Sequence, residues 1–273
     1  MQKHGIMGKS NDIMQISAIQ GRKKQMDYTG INANVIDSWI EKGWKWGIPI
    51  SHEQFVDALN GKWSMLLTPT KPVPKDWYPD LDGKRVLGLA SGGGQQMPIF
   101  AALGAECTLL DYSEMQIKSD LSVAEREGYK INAIRADMTK PLPFDNNSFD
   151  LVFHPVSNCY IEDVMHVWKE CYRILKKGGK LMAGLDNGIN FLFDEDEKEI
   201  TYRLPFNPLQ DRKLLKSLEK EDSGIQFSHT LEEQIRGQLK VGFTLLDLYE
   251  DTNGEGCLHE YGVPTFWATL AMK

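Results

Sequence analysis

From residue 85 onward, short apolar runs alternate with amphipathic stretches, and this rhythm limits the chain to a small set of folds. Runs at 85–90, 106–110, 131–136, 149–153 and 180–185 have the length of strands. Helical patterns at 95–103, 114–127 and 162–175 intervene. Nearly continuous apolar strands separated by helices are expected of a parallel sheet covered on both faces. The punctuation agrees. Gly104 closes the first helix; Ser113 can N-cap the second, with Gln116 three residues on and Gly128 at its stop; "KKGG" ends the third. A helix at 231–239, a strand at 244–249 and an apolar stretch at 265–272 complete the pattern.

Three segments lie outside this rhythm. Two helical candidates, 33–43 and 52–60, precede it; Ser51 and Gln54 form a capping box for the second. Residues 68–83, "TPTKPVPKDWYPDLDG", carry four of the chain's twelve prolines and read as an extended linker. Residues 187–224 hold "DEDEKE" and two prolines and read as an insertion with partial helix. That acidic run lacks the glycine and spacing of a calcium loop and reads as a solvated face. The expected division is a helical cap with its linker at 1–80 and a core at 81–273, with a lid insertion at about 187–224.

A formal charge of -7 on 273 residues argues against a broad nucleic-acid-binding face. The longest basic cluster, Arg22-Lys23-Lys24, reads as a solvated tail. The first 27 residues are polar without a signal-like apolar core, and no run approaches the roughly 18 apolar residues of a membrane span. The four cysteines are scattered without a Cys-x-x-Cys pair, as expected of reduced thiols in a cytoplasmic protein.

Residues 86–96 read "VLGLASGGGQQ": a strand breaks into glycines and opens a helix. In a parallel sheet this turn lies at the carboxyl edge, where ligands bind and helix N-termini favour anions. There is no lysine for a nucleotide P-loop. Gly92 and Gly94 fit the first two places of a dinucleotide fingerprint, but the third is Met97. A carboxylate suits such a loop better than a pyrophosphate. Asp111 ends the next strand, 19 residues beyond Gly92, at the spacing of an acid that binds a ribose diol. Asp137 and Met138 end the third strand, where an acid can accept an adenine amine and an apolar side chain can lie on its ring.

These residues carry a resemblance. The chain resembles class I S-adenosylmethionine-dependent methyltransferases, the group that includes ubiquinone and menaquinone biosynthesis enzymes. The likeness covers about residues 81–185 and rests on "VLGLASGGG", "LLDYS", "RADMTKPLPFDNNSFDLVF" and "ECYRILKKGGKLMAG". It implies an α/β, doubly wound, mostly parallel seven-stranded Rossmann-like sheet whose antiparallel last strand is 265–272. It also implies S-adenosylmethionine as cofactor. The glycine loop would cradle the methionine moiety, Asp111 would bind the ribose and Asp137 the adenine. Carried over with their neighbours, the cofactor contacts fall on Ala90, Ser91, Gly92, Gly94, Gln95, Gln96, Asp111, Tyr112, Asp137, Met138 and His154. One departure stands out: Gly88 occupies a position where the family usually has an acid, and Gln95, Gln96 or the cap would have to make up for it.

Methyl transfer from a sulfonium requires alignment, exclusion of water and, for some acceptors, a base. His154 follows the fourth strand, where the resemblance places the methyl group. It is the candidate catalytic base, or else it orients substrate or shapes the loop before Pro155. Trp44, Trp46, Asn158, Tyr160, Asp186 and Asn187 are candidates for the substrate pocket, whereas Trp39 sits at core spacing from Ile36 and Ile40. With histidine after the fourth strand, no metal site is expected. The expected activity is methyl transfer to a small molecule. The alternatives are an RNA or protein methyltransferase, disfavoured by the absence of Asn/Asp-Pro-Pro-Tyr after the fourth strand, and a non-catalytic cofactor-binding module.

Overall fold

The computed structural model describes residues 26–194, 196–221 and 223–273, the side chains of 219–221 excepted. The Arg22-Lys23-Lys24 cluster and nearly all of the polar N-terminal stretch lie outside the described residues. Seven strands form one sheet: β1 (Arg85–Leu89), β2 (Glu106–Asp111), β3 (Ile131–Arg135), β4 (Phe149–His154), β5 (Leu175–Asp186), β6 (Thr244–Asp251) and β7 (Phe266–Met272). Their order is β3-β2-β1-β4-β5-β7-β6. β1 pairs in parallel with β2 and β4, β2 with β3 and β4 with β5, while β7 runs antiparallel to β5 and β6. The expected seven-stranded, mostly parallel sheet with an antiparallel last strand is therefore present. Its carboxyl edge gathers the ends of β1 to β5.

The helices are α1 (Tyr28–Glu41), α2 (His52–Leu59), α3 (Met97–Ala102), α4 (Glu114–Glu127), α5 (Val164–Ile174), α6 (Arg212–Glu221), α7 (Gly237–Val241) and α8 (Gly256–Glu260). Side-chain alternation along each strand divides the core between the two sheet faces. Val86, Leu109, Leu151, Phe153 and Met182 join α3, α4 and residues 65–81 on one face. Leu87, Leu110, Val152, Leu181 and Ala183 join α5 on the other. α5 presents Val164, Val167, Trp168, Cys171 and Ile174, a helical stripe, and Asp163 caps its amides at Met165 and His166. The Ser51–Gln54 capping box, the Ser113 cap and the left-handed Gly128 stop all form.

Several boundaries differ from the sequence reading. α1 begins at Tyr28, five residues early, because Asp27 accepts the Gly30 amide and sets the first turn. The 231–239 helix is a π turn, Glu232–Arg236, that runs on into α7. α8 was not foreseen. The largest difference is at 68–83. Apart from a 3₁₀ turn at Lys75–Trp77 these residues form no helix, but they are no free linker. Thr68, Val73, Trp77, Tyr78 and Leu81 are buried on the sheet. The Trp77 indole donates to Asp247 Oδ2 at 2.9 Å, and the Asp251 carboxylate accepts the Thr70 and Lys71 amides at 2.8 and 3.0 Å. Burying each such large side chain stabilises by about 1.5–3 kcal/mol. The same strap brings Leu67 across β5: a Cβ on Gly184 would lie 2.0 Å from Leu67 O, so only glycine fits there.

Candidate active site

β1 ends at Leu89, and Ala90 turns the chain with φ at 48°, a left-handed conformation costly for a residue with a Cβ. Gly93 and Gly94 follow with φ of 104° and 69°. Their neighbours are protein. A Cβ on Gly93 would meet Trp46 O at 2.3 Å, and one on Gly94 would meet Pro49 Cβ at 2.9 Å. Ile50 N donates to Gly94 O at 2.9 Å, and Gln95 Nε2 donates to the carbonyls of Lys45 and Ile48. The end of the glycine stretch thus holds the N-terminal cap, while its start, Ala90 to Gly92, lines a cavity. Beneath the loop, the fully buried Asp120 accepts the Gly94 amide at 2.9 Å; burial pushes its carboxyl up to about 8. At Gly88 the space of the missing family acid is filled. A Cβ there would meet Met97 Cε at 2.7 Å, so the buried Met97 side chain occupies the position.

The cavity measures about 390 Å³. Its first half lies at the ends of β1, β2 and β3. Asp111 accepts the Gly92 amide through Oδ2 and the Ser113 amide through Oδ1, each at 3.0 Å. Desolvation raises its carboxyl to about 6, against those backbone bonds. Asp137 is held by the Thr139 amide at 2.8 Å and by the Thr29 hydroxyl of α1 at 3.0 Å. Tyr112, Met138, Gln95 and Gln96 line this half as well, and Gln96 Oε1 accepts the Ser91 hydroxyl at 3.3 Å.

The second half lies at the ends of β4, β5 and β7. Trp44, Trp46 and Tyr160 line it. So do residues that sequence reasoning missed: Leu66 to Pro69 of the strap, Asn190 and Phe191 of the insertion, Gln226, and Phe266 of β7. Asp186 ends β5 inside this half, accepting from Gly188 N at 2.6 Å and Asn190 Nδ2 at 2.9 Å. Burial raises it to about 6. Trp39 packs on Trp44 and Tyr160 with ring centroids 5.3 and 6.5 Å away, and does not line the cavity.

Gly94, His154, Asn158 and Asn187 are not in the cavity wall. Asn187 is tied to Pro264 O and to the Ile189 amide. His154 is the last residue of β4, and its ring is fully buried with both nitrogens engaged. Nδ1 lies 2.8 Å from Leu89 O and Nε2 lies 2.8 Å from the Asn158 side-chain amide. Leu89 O can only accept, so Nδ1 carries the proton. Burial lowers the ring's pKa, against the bonds to Asn158 and Leu89. Asn158 turns its Oδ1 toward Nε2 and donates from Nδ2 to Gln234 Oε1 at 3.1 Å. The ring's partners are the last residue of β1 and the loop after β4; of the cavity-lining groups the Ser157 hydroxyl lies 3.4 Å from Nδ1.

Among the described residues three carboxylates, Asp111, Asp137 and Asp186, line the cavity, and no lysine, arginine or histidine does. A nicotinamide dinucleotide would bring a diphosphate to this surface without a positive partner. S-adenosylmethionine brings a sulfonium and an ammonium against a single carboxylate, and the donor set fits it: acids at the ends of β2 and β3, and the open face of Ala90, Ser91 and Gly92 beside them.

A family model described as "Methyltransferase domain" matches residues 87–183. The "Uncharacterized methyltransferase YbaJ" of Bacillus subtilis (strain 168) is 39% identical over 249 residues, covering 89% of this chain and 97% of that protein. A demethylmenaquinone methyltransferase of Renibacterium salmoninarum is 34% identical over 101 residues, 37% of this chain and 40% of its own length. Among solved structures, an S-adenosylmethionine-dependent methyltransferase from Mesorhizobium loti shares the fold at a TM-score of 0.58 and 20% identity, over 73% of this chain and 95% of that one. The strand order, the acids at the carboxyl edge and a relative matched along nearly its whole length agree: the chain belongs to the class I S-adenosylmethionine-dependent methyltransferases.

Proposed function

We propose that the protein transfers the methyl group of S-adenosylmethionine to a small molecule held beneath the cap and the 187–224 insertion. The observation that carries this reading is the roof of the second half-cavity. It comes from three segments remote in sequence: α1 with the Trp44–Trp46 turn, the strap at Leu66 to Pro69, and the insertion with Gln226. Asn32 staples α1 to the segment that follows the insertion and to the loop after β4. Its side chain accepts from Ile225 N at 2.6 Å and donates to Ile225 O at 2.8 Å and Tyr160 O at 3.1 Å. A space of about 390 Å³ under such a roof supports a metabolite better than a polymer. In this reading residues 1–80 form a cap, 81–273 the core, and the insertion a second lid.

Within the cofactor half, Asp111 receives the ribose hydroxyls and Asp137 the adenine amine, with Met138 and Tyr112 beside the rings. Bound there, S-adenosylmethionine supplies an electrophilic methyl carbon. His154 is a positioning residue in this scheme: through Leu89 O it fixes the turn at Ala90. Among the described residues no helix is long and apolar enough to cross a membrane.

The test is incubation of the protein with methyl-labelled cofactor and a cell extract split into low-mass and macromolecular fractions. Label in the low-mass fraction supports the reading. Label confined to RNA or protein refutes it, and cofactor binding without label in any fraction favours a binding module.

A further inference from the structure

Asp186 stands apart from the other cavity acids. It lies at the end of β5 in the second half-cavity, beyond β1 and β4 from the acids of β2 and β3. Its carboxylate is 6% exposed, each oxygen receives one hydrogen bond, and each keeps a free lone pair. No basic group among the described residues pairs with it or lines the cavity. A buried carboxylate without a counter-charge is costly, and the cost is relieved when a ligand brings a proton donor or a cation. Phe191, Phe266 and Tyr160 line the same cavity, and Phe266 pairs with Asp186 in the sheet.

Resting on the methyltransferase reading above, we propose that the acceptor is an apolar amine or alcohol without an anionic group, and that its N–H or O–H is received by Asp186. As the acceptor's lone pair forms the bond to the methyl carbon, the carbon–sulfur bond breaks with its electron pair going to sulfur, and the acceptor's proton passes to a carboxylate oxygen of Asp186. Asp186 is then the catalytic residue that the position after β4 does not provide. The titratable group facing it is the Cys159 thiol, which is itself buried and raised, so it stays neutral beside the carboxylate.

The test titrates three matched probes, phenethylamine, phenethyl alcohol and the corresponding carboxylate, onto protein saturated with S-adenosylhomocysteine. At pH 7.5 the amine should bind about tenfold or more tighter than the carboxylate, with the alcohol between them. Below the carboxyl's raised value of about 6 the preference should shrink, a result that needs no mutant. Asp186→Asn should abolish the ranking while leaving S-adenosylhomocysteine affinity within about twofold. Equal affinity, a preference for the carboxylate, or no binding by the amine overturns the inference and leaves the methyltransferase reading in place. Failure of S-adenosylhomocysteine to saturate the protein brings down both.

Discussion

The two halves of the cavity are built by different means. In the half proposed for the cofactor, each strand end delivers a lining residue directly: Ala90 after β1, Asp111 at the end of β2, Asp137 just beyond β3. Parallel register fixes their relation, because Leu89 pairs with Leu110 and Asp111 with Arg135. In the second half, Asp186 ends β5 and Pro155 follows β4. The rest of the wall is supplied by α1 with the Trp44–Trp46 turn, the strap, the loop after β4, the insertion with Gln226, and Phe266, joined by contacts such as Asn32 with Ile225, 193 residues apart. One half is local repetition of a βα unit; the other is assembled only when the whole chain has folded. The halves should therefore respond separately to mutation.

The largest separation is expected from Asp186→Asn. Loss of a positioned base should lower turnover by about 10²–10⁴-fold with cofactor affinity preserved. The sign of the pH effect follows from the raised carboxyl. The wild type must ionise Asp186 to accept a proton, so turnover should climb through about pH 6 and level off, and the variant should lack that acid limb. Steady-state rates from pH 5 to 8 check both. Asp111→Ala should weaken S-adenosylmethionine by about 1.5–3 kcal/mol in a calorimetric titration, through lost charge-assisted bonds.

Asn32→Ala leaves the buried Ile225 amide and carbonyl unpaired. It should cost about 1–3 kcal/mol in urea unfolding and weaken acceptor probes more than the cofactor. The smallest effect belongs to Asp120→Asn, which at pH 6 should change stability by less than about 1 kcal/mol, because the native carboxyl is already protonated there. Its folded value, about 8, lies above the unfolded one, so the folded state keeps a proton that the unfolded state releases. Wild-type stability should fall as pH rises from 6 to 8, and the variant should lose that slope.

The sequence made the cofactor half legible because its signals are local. Strand, glycine turn, capped helix and terminal acid all lie within a few dozen residues, and the Ser113 cap and Gly128 stop form as read. Of the lining of the second half, the sequence reading named only Trp44, Trp46, Tyr160 and Asp186. His154 lies behind the cavity wall for a physical reason. Proximity to the carboxyl edge does not say which way a side chain turns, and this one turns back to Leu89 O beneath the loop. The proline-rich strap hid its burial because proline signals extension, while the intervening Val73, Trp77 and Tyr78 carry the packing. Asn190 did carry a signal: it stands four residues beyond Asp186, as a partner that reaches back to hold the carboxylate.

The most direct test of the divided cavity is one calorimetric grid: wild type, Asp111→Ala and Asp186→Asn, each titrated with S-adenosylmethionine and, after saturation with S-adenosylhomocysteine, with phenethylamine. The account predicts that Asp111→Ala weakens the cofactor at least about tenfold and spares the amine, and that Asp186→Asn does the reverse. If either variant weakens both ligands alike, or Asp111→Ala leaves the cofactor constant unchanged, the assignment of the two halves is wrong.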